Sequence, residues 1–489
     1  MSERLVFGYG TSGHAGHAPA RRSGRPERVT IAAAPAAPER AAPAVRERRD
    51  WAFLGLLAFT AVLFFRPQDQ IPALNVLHLA EVAALGALAA MVMGRIGRGL
   101  NVSRFTPELG GVVALGGIIL CTAPFSIWMG GSIGTFTDVY VKVILIFLLM
   151  LNTLTSPKRV DQFLWLIVLA TGYIAFRAVF DYARGLNLVE NGRVQGAVGG
   201  MFKNPNDLAL NMVAVLPLAG SLALRATTLS RKLAASGCAV LMIGAVIASQ
   251  SRSGSVGLAI MTLFMGVYLL RRRPGVALAA VLALVLALPF MPASYWHRIS
   301  SITDQSLDET GSREARRILL RESYAAFLQH PVTGVGAGQF KNYDPEGRQQ
   351  AWRESHNVIL QVAAELGIFG LATFLFLIVR AALAGSQVQR LLRRAGYGLS
   401  RSRRRAAPPA HATLTPGDVD WLRAHTAAMG AALAGWFVCA LFASVAYNWT
   451  FYYLLALAIA PREILIDRLA GTRKLKRAAA ALRVQEVRA

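Results

Sequence analysis

Charge is scarce in this chain and cysteine nearly absent: of 489 residues, 16% are Asp, Glu, Lys or Arg, and 3 are Cys. Cys121, Cys238 and Cys439 each stand alone in an apolar stretch, with no CxxC and no nearby His pair. That excludes a disulfide framework or cysteine metal site and leaves three small core residues. Walker A, GxSxG, HExxH and clustered Cys/His spacings are missing as well, which removes the usual residues of nucleotide hydrolysis and zinc chemistry. One DxD, Asp418 and Asp420, lies in a short segment without room for a nucleotide-binding domain and reads as coincidence. Acidic residues are the rarer sign, 27 against 52 Lys and Arg, for a net charge of +25. In a soluble protein such an excess suggests phosphate neutralisation on nucleic acid. Here the basic residues collect between apolar runs, where they fix orientation and meet anionic headgroups, so membrane lipids are the expected partner and nucleic acid is not.

Apolar residues make up 54% of the chain, and mean hydropathy is +0.43. Runs of about 18 residues, long enough to cross a hydrocarbon core as helices, recur along its length. The expected fold is an all-α polytopic membrane bundle of about twelve spans, at 51–65, 73–94, 109–128, 139–154, 160–180, 206–224, 233–250, 254–270, 275–293, 356–382, 421–445 and 450–466. Charge tests the count independently, because one set of alternate loops should be basic. With the N-terminus inside, the inside segments hold 35 Lys or Arg and the outside segments 13, of which 8 sit in 294–355 beside 8 Asp or Glu.

Residues 1–50, rich in Arg, Ala, Pro, Gly and Ser, read as a disordered basic tail on the inner side, with no convincing cleavable signal before Trp51. The 294–355 loop is too long for a simple connection and reads as an extracytoplasmic cap, helical over Ser312 to Gln329 and irregular over 331–347. The basic segment 383–420, with Arg401, Arg403, Arg404 and Arg405, reads as a solvated cytoplasmic loop, and 467–489 as a basic tail.

Polar residues gather at the outer face. Glu354, Ser355, His356 and Asn357 precede an apolar helix on which Asn357, Gln361 and Glu365 recur at i, i+4 and i+8. Such a stripe faces either packed neighbours or a wet cavity. Arg252 lies in a turn, Ser251-Arg252-Ser253-Gly254, and is either an interfacial anchor or a ligand group. Arg313, Arg316, Arg317 and Arg321 fall along the cap helix, a solvated face unless the cap turns them inward. Arg193, Lys203, Asn204 and Asn206 belong to a Gly-rich loop open to either a functional or a turn reading. Charge parity puts all of these on one side of the membrane. Guanidiniums in a partly dry cleft suit a diphosphate, and an imidazole suits proton transfer at neutral pH.

With these motifs in view, the sequence resembles the O-antigen ligase and polymerase superfamily of bacterial membrane glycosyltransferases. The resemblance rests on GGMFKNPNDLA, SQSRSG, Arg316 ahead of HPVTGVGAGQF, and ESHNVILQVAAELGIFG, covering about 190 to 380. It implies a multi-pass protein of the bacterial inner membrane that transfers glycan from an undecaprenyl-diphosphate donor to a glycan or lipid acceptor at the periplasmic face, without metal, nucleotide or other cofactor, alongside polysaccharide-export partners. It further implies His356, Arg252 and Arg316 as catalytic residues of an inverting displacement, with Arg313, Arg317, Arg321, Asn357, Arg193 and Asn206 binding substrate. The family's tryptophan four positions after its cap arginine is Leu320 here. Polymerisation and ligation need the same donor chemistry, with polymerisation slightly preferred. A polysaccharide transporter or flippase is the alternative, and it should show two similar halves with broken helices near the midplane.

Overall fold

Helices start where the sequence supplies caps. Asp50, Thr106, Ser156, Asn204, Ser251, Asn357 and Thr415 each accept a backbone N–H from the first turn of the helix that follows. Proline opens the helices after Thr106, Ser156, Asn204 and Thr415, where its missing N–H costs nothing. The structure, a computed structural model, describes residues 50–189, 192–287, 289, 291–301, 312–349, 352–397 and 414–488. The N-terminal tail and the Arg401–Arg405 run lie outside these.

Within them the chain forms α1 (Trp51–Phe65), α2 (Pro67–Gln70), α3 (Leu79–Ile96), α4 (Pro107–Thr122), α5 (Met129–Gly134), α6 (Val141–Thr153), α7 (Pro157–Arg184), α8 (Pro205–Arg225), α9 (Leu229–Ser249), α10 (Arg252–Arg272), α11 (Pro274–Ala287), α12 (Ala293–Ser300), α13 (Ser312–Gln329), α14 (Val358–Arg394), α15 (Pro416–Ala440) and α16 (Trp449–Arg488). The described strands, β1 (Leu188–Val189) and β2 (Arg193–Val194), make one short antiparallel ribbon. Among the described residues ten helical segments are long and apolar enough to cross a membrane, so the fold is an all-α multi-pass bundle.

Of the other two expected spans, 275–293 is helical over Pro274–Ala287 and 421–445 as far as Ala440, and both run between the same two ends of the bundle. Before α11, Arg273 donates to Leu224 O at the close of α8 (3.0 Å); after it, Ser294 and Tyr295 meet Gln250 and Ser255 where α10 begins (3.2 and 3.0 Å). Along α15, Trp421 Nε1 donates to Asp161 near the start of α7 (2.9 Å), and Cys439 Sγ donates to Ser253 O at the opposite end (3.4 Å). Arg423 and His425 make α15 too polar to read as lipid-facing, and the bundle buries His425 and Thr426. Two boundaries differ from the sequence reading. α14 continues beyond 382 to Arg394, and α16 beyond 466 to Arg488, because Leu, Ala, Gln, Arg and Lys sustain a helix past the membrane-length segment. Asp418 of the DxD is taken up in a capping box with Thr415 and an ion pair to Arg468 (2.8 Å).

The core centres on α8, which packs against α7, α9, α10 and α15. Pro461 inside α16 cannot donate to Leu457 O, and His425 Nε2 fills that place at 2.9 Å, which fixes Nε2 as the protonated nitrogen. Near the start of α4, fully buried Glu108 binds Arg462 through both oxygens (2.8 and 2.8 Å) and Arg380 through one (2.6 Å). Glu108→Ala should therefore destabilise the bundle by about 3–5 kcal/mol, the cost of leaving buried charge unmatched. A melting curve in detergent reads that loss. Any activity at the Arg252 end should stay unchanged per folded molecule, because this cluster is at the opposite end of the bundle.

Candidate functional site

At the other end, the turn between α9 and α10 is built by its neighbours. Gln250 takes a left-handed conformation (φ +48°), Ser251 caps α10, and Arg252 becomes the first helical residue. Arg193 Nε donates to Ser249 O (3.1 Å) and its Nη2 to Asn206 Oδ1 (2.8 Å), while Ser251 Oγ donates to the same Asn206 oxygen (2.9 Å). Arg298 Nε adds a bond to Gln250 O (3.1 Å). Arg193 is buried, so it and Asn206 form a bracket that holds the turn carrying Arg252.

His356 is the second left-handed non-glycine residue of the site (φ +49°). Such a conformation persists where surrounding bonds over-determine it. His356 N donates to Ser444 Oγ (3.0 Å), and Ser355 Oγ lies 3.2 Å from the same hydroxyl. Asn357 is engaged at both ends of its amide: Oδ1 accepts from Ile359 N and Leu360 N (3.0 and 3.0 Å), and Nδ2 donates to Leu441 O (3.1 Å). Since Cys439 touches Ser253 while Leu441 and Ser444 touch Asn357 and His356, the segment after α15 joins the Arg252 turn to the His356 turn.

The stripe on α14 is structural. Gln361 Oε1 accepts from Ala446 N (3.1 Å), and Glu365 Oε2 accepts from Gly338 N (2.9 Å). Gly367, at φ +63° and ψ −160°, breaks the helix there, and the carbonyls of Ala364 and Glu365 bond Val335 N (2.8 Å) and Gly336 N (3.0 Å) of the cap loop. Gly334, Gly336 and Gly338 all have positive φ, and a Cβ on each would strike Glu365, Ser126 or Thr135 respectively. This accounts for GVGAG. Gly336→Ala should lose roughly 1–3 kcal/mol from backbone strain alone, with the Ser126 collision in addition. Wild-type yield and melting temperature for that variant would contradict a docked loop.

The loop seats the cap: Leu319 and Ala326 of α13 form a small core with Val335, Phe340 and Ala364. That face fixes the helix phase. Arg316, three residues before Leu319, stands on the inner side half-buried, whereas Arg317 pairs with Glu314 in solvent (3.6 Å) and Arg321 is exposed. The Arg313 side chain lies outside the described residues. Arg316 is close enough to act on His356. Desolvation, then the Arg316 and Arg353 guanidiniums, push the imidazole from 6.5 down to about 4, so it is neutral at physiological pH.

Residues the sequence reading left without a role complete the rim. Glu354 reaches solvent on one side, yet desolvation on the other raises its carboxyl, partly offset by Lys341 and by a hydrogen bond with Ser444. Asp207, at the start of α8, lies within electrostatic range of it. Adjacency to His356 was a usable signal for Glu354, and Asp207 lies within the GGMFKNPNDLA motif; nothing in the sequence marked Ser444. Among the described residues no group of three His, Cys, Asp or Glu side chains is placed to hold a metal.

One segment holds the α9–α10 turn, the inner face of α13, the docked glycine loop and the start of α14. Residues 237–375 match the O-antigen ligase family. The matching segment contains Arg252, Arg316 and His356, while the Arg193–Asn206 bracket precedes it. It supports a membrane O-antigen ligase/polymerase-type function, and with it a lipid-linked glycan substrate in contact with membrane lipids. No curated protein matches the chain by sequence.

Proposed function

We propose that the chain is an inner-membrane glycosyltransferase that polymerises or ligates undecaprenyl-diphosphate-linked oligosaccharide on the periplasmic face, in exopolysaccharide or O-antigen biosynthesis. The observation that carries this reading is the placement, within the O-antigen ligase segment, of a neutral imidazole beside one inward-facing cap arginine and across the 439–446 segment from Arg252. The acceptor hydroxyl attacks the anomeric carbon of the donor sugar. As that bond forms, the bond to the diphosphate oxygen breaks and the configuration inverts. His356 takes the hydroxyl proton, and Arg252 and Arg316 hold the departing diphosphate, whose charge the planar guanidinium forks match. Asn357, Arg193 and Asn206 act as positioning residues, and no metal enters the step.

The test is purified protein with lipid-linked donor in excess chelator, supplied with more donor or with a separate lipid acceptor. A growing carrier-linked ladder identifies a polymerase; one transfer to the lipid acceptor identifies a ligase. Transfer that chelator abolishes and divalent metal restores would overturn the metal-free step. No transfer from any polyprenyl diphosphate would overturn the reading.

A further inference from the structure

The segment between α15 and α16, Leu441 to Asn448, is apolar but for Ser444, Tyr447 and Asn448. It has no regular structure, yet it is pinned on both sides of Ser444. Leu441 O accepts from Asn357 Nδ2 (3.1 Å), Ala446 N donates to Gln361 Oε1 (3.1 Å), and Ala446 O accepts from the buried Tyr452 hydroxyl (2.9 Å). Ser444 is therefore carried on a fixed platform, with its hydroxyl at the His356 turn.

That hydroxyl bonds in two directions. Its oxygen accepts from His356 N (3.0 Å), and it donates to the Glu354 carboxylate, which when ionised can only accept. Ser355 Oγ lies 3.2 Å from it and gives its own hydrogen to Asn357 O (3.2 Å). An ionised acceptor makes the stronger bond, and a hydroxyl that donates to a carboxylate becomes a better acceptor in turn. Glu354 thus strengthens the bond that holds the His356 backbone.

What this bond holds is a costly conformation. His356 has φ +49°, which a non-glycine residue keeps only where neighbouring bonds over-determine it. Returning φ to negative values would swing Cβ and the ring away from the place where Arg316 acts on the imidazole. A reacting group displaced by about 1 Å loses about 10²-fold in rate.

We propose that Ser444 and Glu354 are positioning residues for the transfer reaction: the hydroxyl, polarised by the carboxylate, clamps the His356 turn in the left-handed form that aims the imidazole at the acceptor. The proposal rests on the proposed function and adds the two residues that keep its base in place.

The experiment measures steady-state transfer for wild type, Ser444→Ala, Ser444→Thr, Glu354→Ala and the double alanine variant. Ser444→Ala should lower kcat by about 10–100-fold, the range to which the cost of a left-handed residue converts. Its KM for the lipid-linked donor should stay within about twofold of wild type, because the arginines that hold the diphosphate are untouched. Ser444→Thr keeps the hydroxyl and should recover most of the turnover. Glu354→Ala should lower kcat by about tenfold, near the worth of one hydrogen bond to a charged group. Added to Ser444→Ala it should cost nothing further, because the carboxylate acts through the hydroxyl. Wild-type kcat in Ser444→Ala would overturn the proposal. So would equal losses in the Ala and Thr variants, which would make Ser444 a matter of packing, and so would multiplying losses in the double variant, which would put Glu354 on the substrate itself. A rise in donor KM with kcat unchanged would assign the pair to donor binding and equally overturn it. Failure of the proposed function looks different, because wild type would then transfer from no lipid-linked donor.

Discussion

His356→Ala is expected to abolish transfer, with kcat reduced by about 10²–10⁴-fold, the contribution of a positioned general base, while the protein inserts and purifies normally. The imidazole is half-buried at a turn whose backbone bonds run through Ser444, so removing the ring takes little from the bundle's packing. Its pH behaviour is the sharper check. In the free protein desolvation and then Arg316 and Arg353 hold His356 at about 4. The base form is therefore present well below the usual histidine range, and the acid limb of kcat/KM should lie near 4, not near 6.5. A diphosphate between the arginines reverses the local charge and favours the imidazolium, so the limb of kcat should lie at higher pH than that of kcat/KM. The sign for stability is the opposite of a salt-bridged histidine. Between pH 6.5 and 4 the unfolded chain takes up this proton and the folded one does not, so the contribution is intact above 6.5 and lost as pH falls toward 4. A kcat/KM limb at 6.5 in wild type would contradict the site's geometry.

Arg316→Ala should lower kcat by about 10²–10³-fold, the effect of deleting one donor to developing negative charge, whereas Arg317→Ala and Arg321→Ala should change it by less than twofold or so. The reason is helix phase. Leu319, Ser323 and Ala326 are buried and point α13 into the bundle. Arg316 shares that side, and Arg317 and Arg321 face away. Arg316→Lys should recover the charge but not the fork, and most activity should remain lost. Arg316→Ala should also raise the kcat/KM limb, because it removes one of the charges that hold His356 low. Equal losses from all three arginines would mean that the cap binds glycan by its overall charge.

The bundle itself was legible in the sequence, since apolar length and alternating basic loops depend on local composition. Each of the twelve expected spans contains a described helix, and ten of those helical segments are long and apolar enough to cross a membrane. Helix ends were less legible. Past Leu383 and Ile466 the sequence stops being apolar without ceasing to form helix, so hydropathy marks where a span stops and not where the helix does. At the site, His356 and Arg252 could be picked out from motifs beside spans, but choosing among the cap arginines needed the docking angle of α13. That angle is set by contacts to Val335, Phe340 and Ala364, far away in sequence. Arg193, Asn206 and Asn357 have the residue types of ligand groups, and each also makes hydrogen bonds that position the turns beside it. Composition alone does not reveal such positioning bonds. The i, i+4, i+8 stripe on α14 proved to be a seam holding the cap loop and the segment before α16.

Glu108 and Arg462 are 354 positions apart. A chain made from its N-terminus lays down α4 with a carboxylate and nothing to match it until α14 supplies Arg380 and α16 supplies Arg462. Until then Glu108 must stay at a wet boundary or carry a proton, since a bare charge in hydrocarbon is costly. The last span therefore closes the molecule electrostatically as well as sterically. A chain truncated before α16 keeps its motifs and most of its spans, yet its Glu108 is held by Arg380 through one oxygen only and the other has lost its partner.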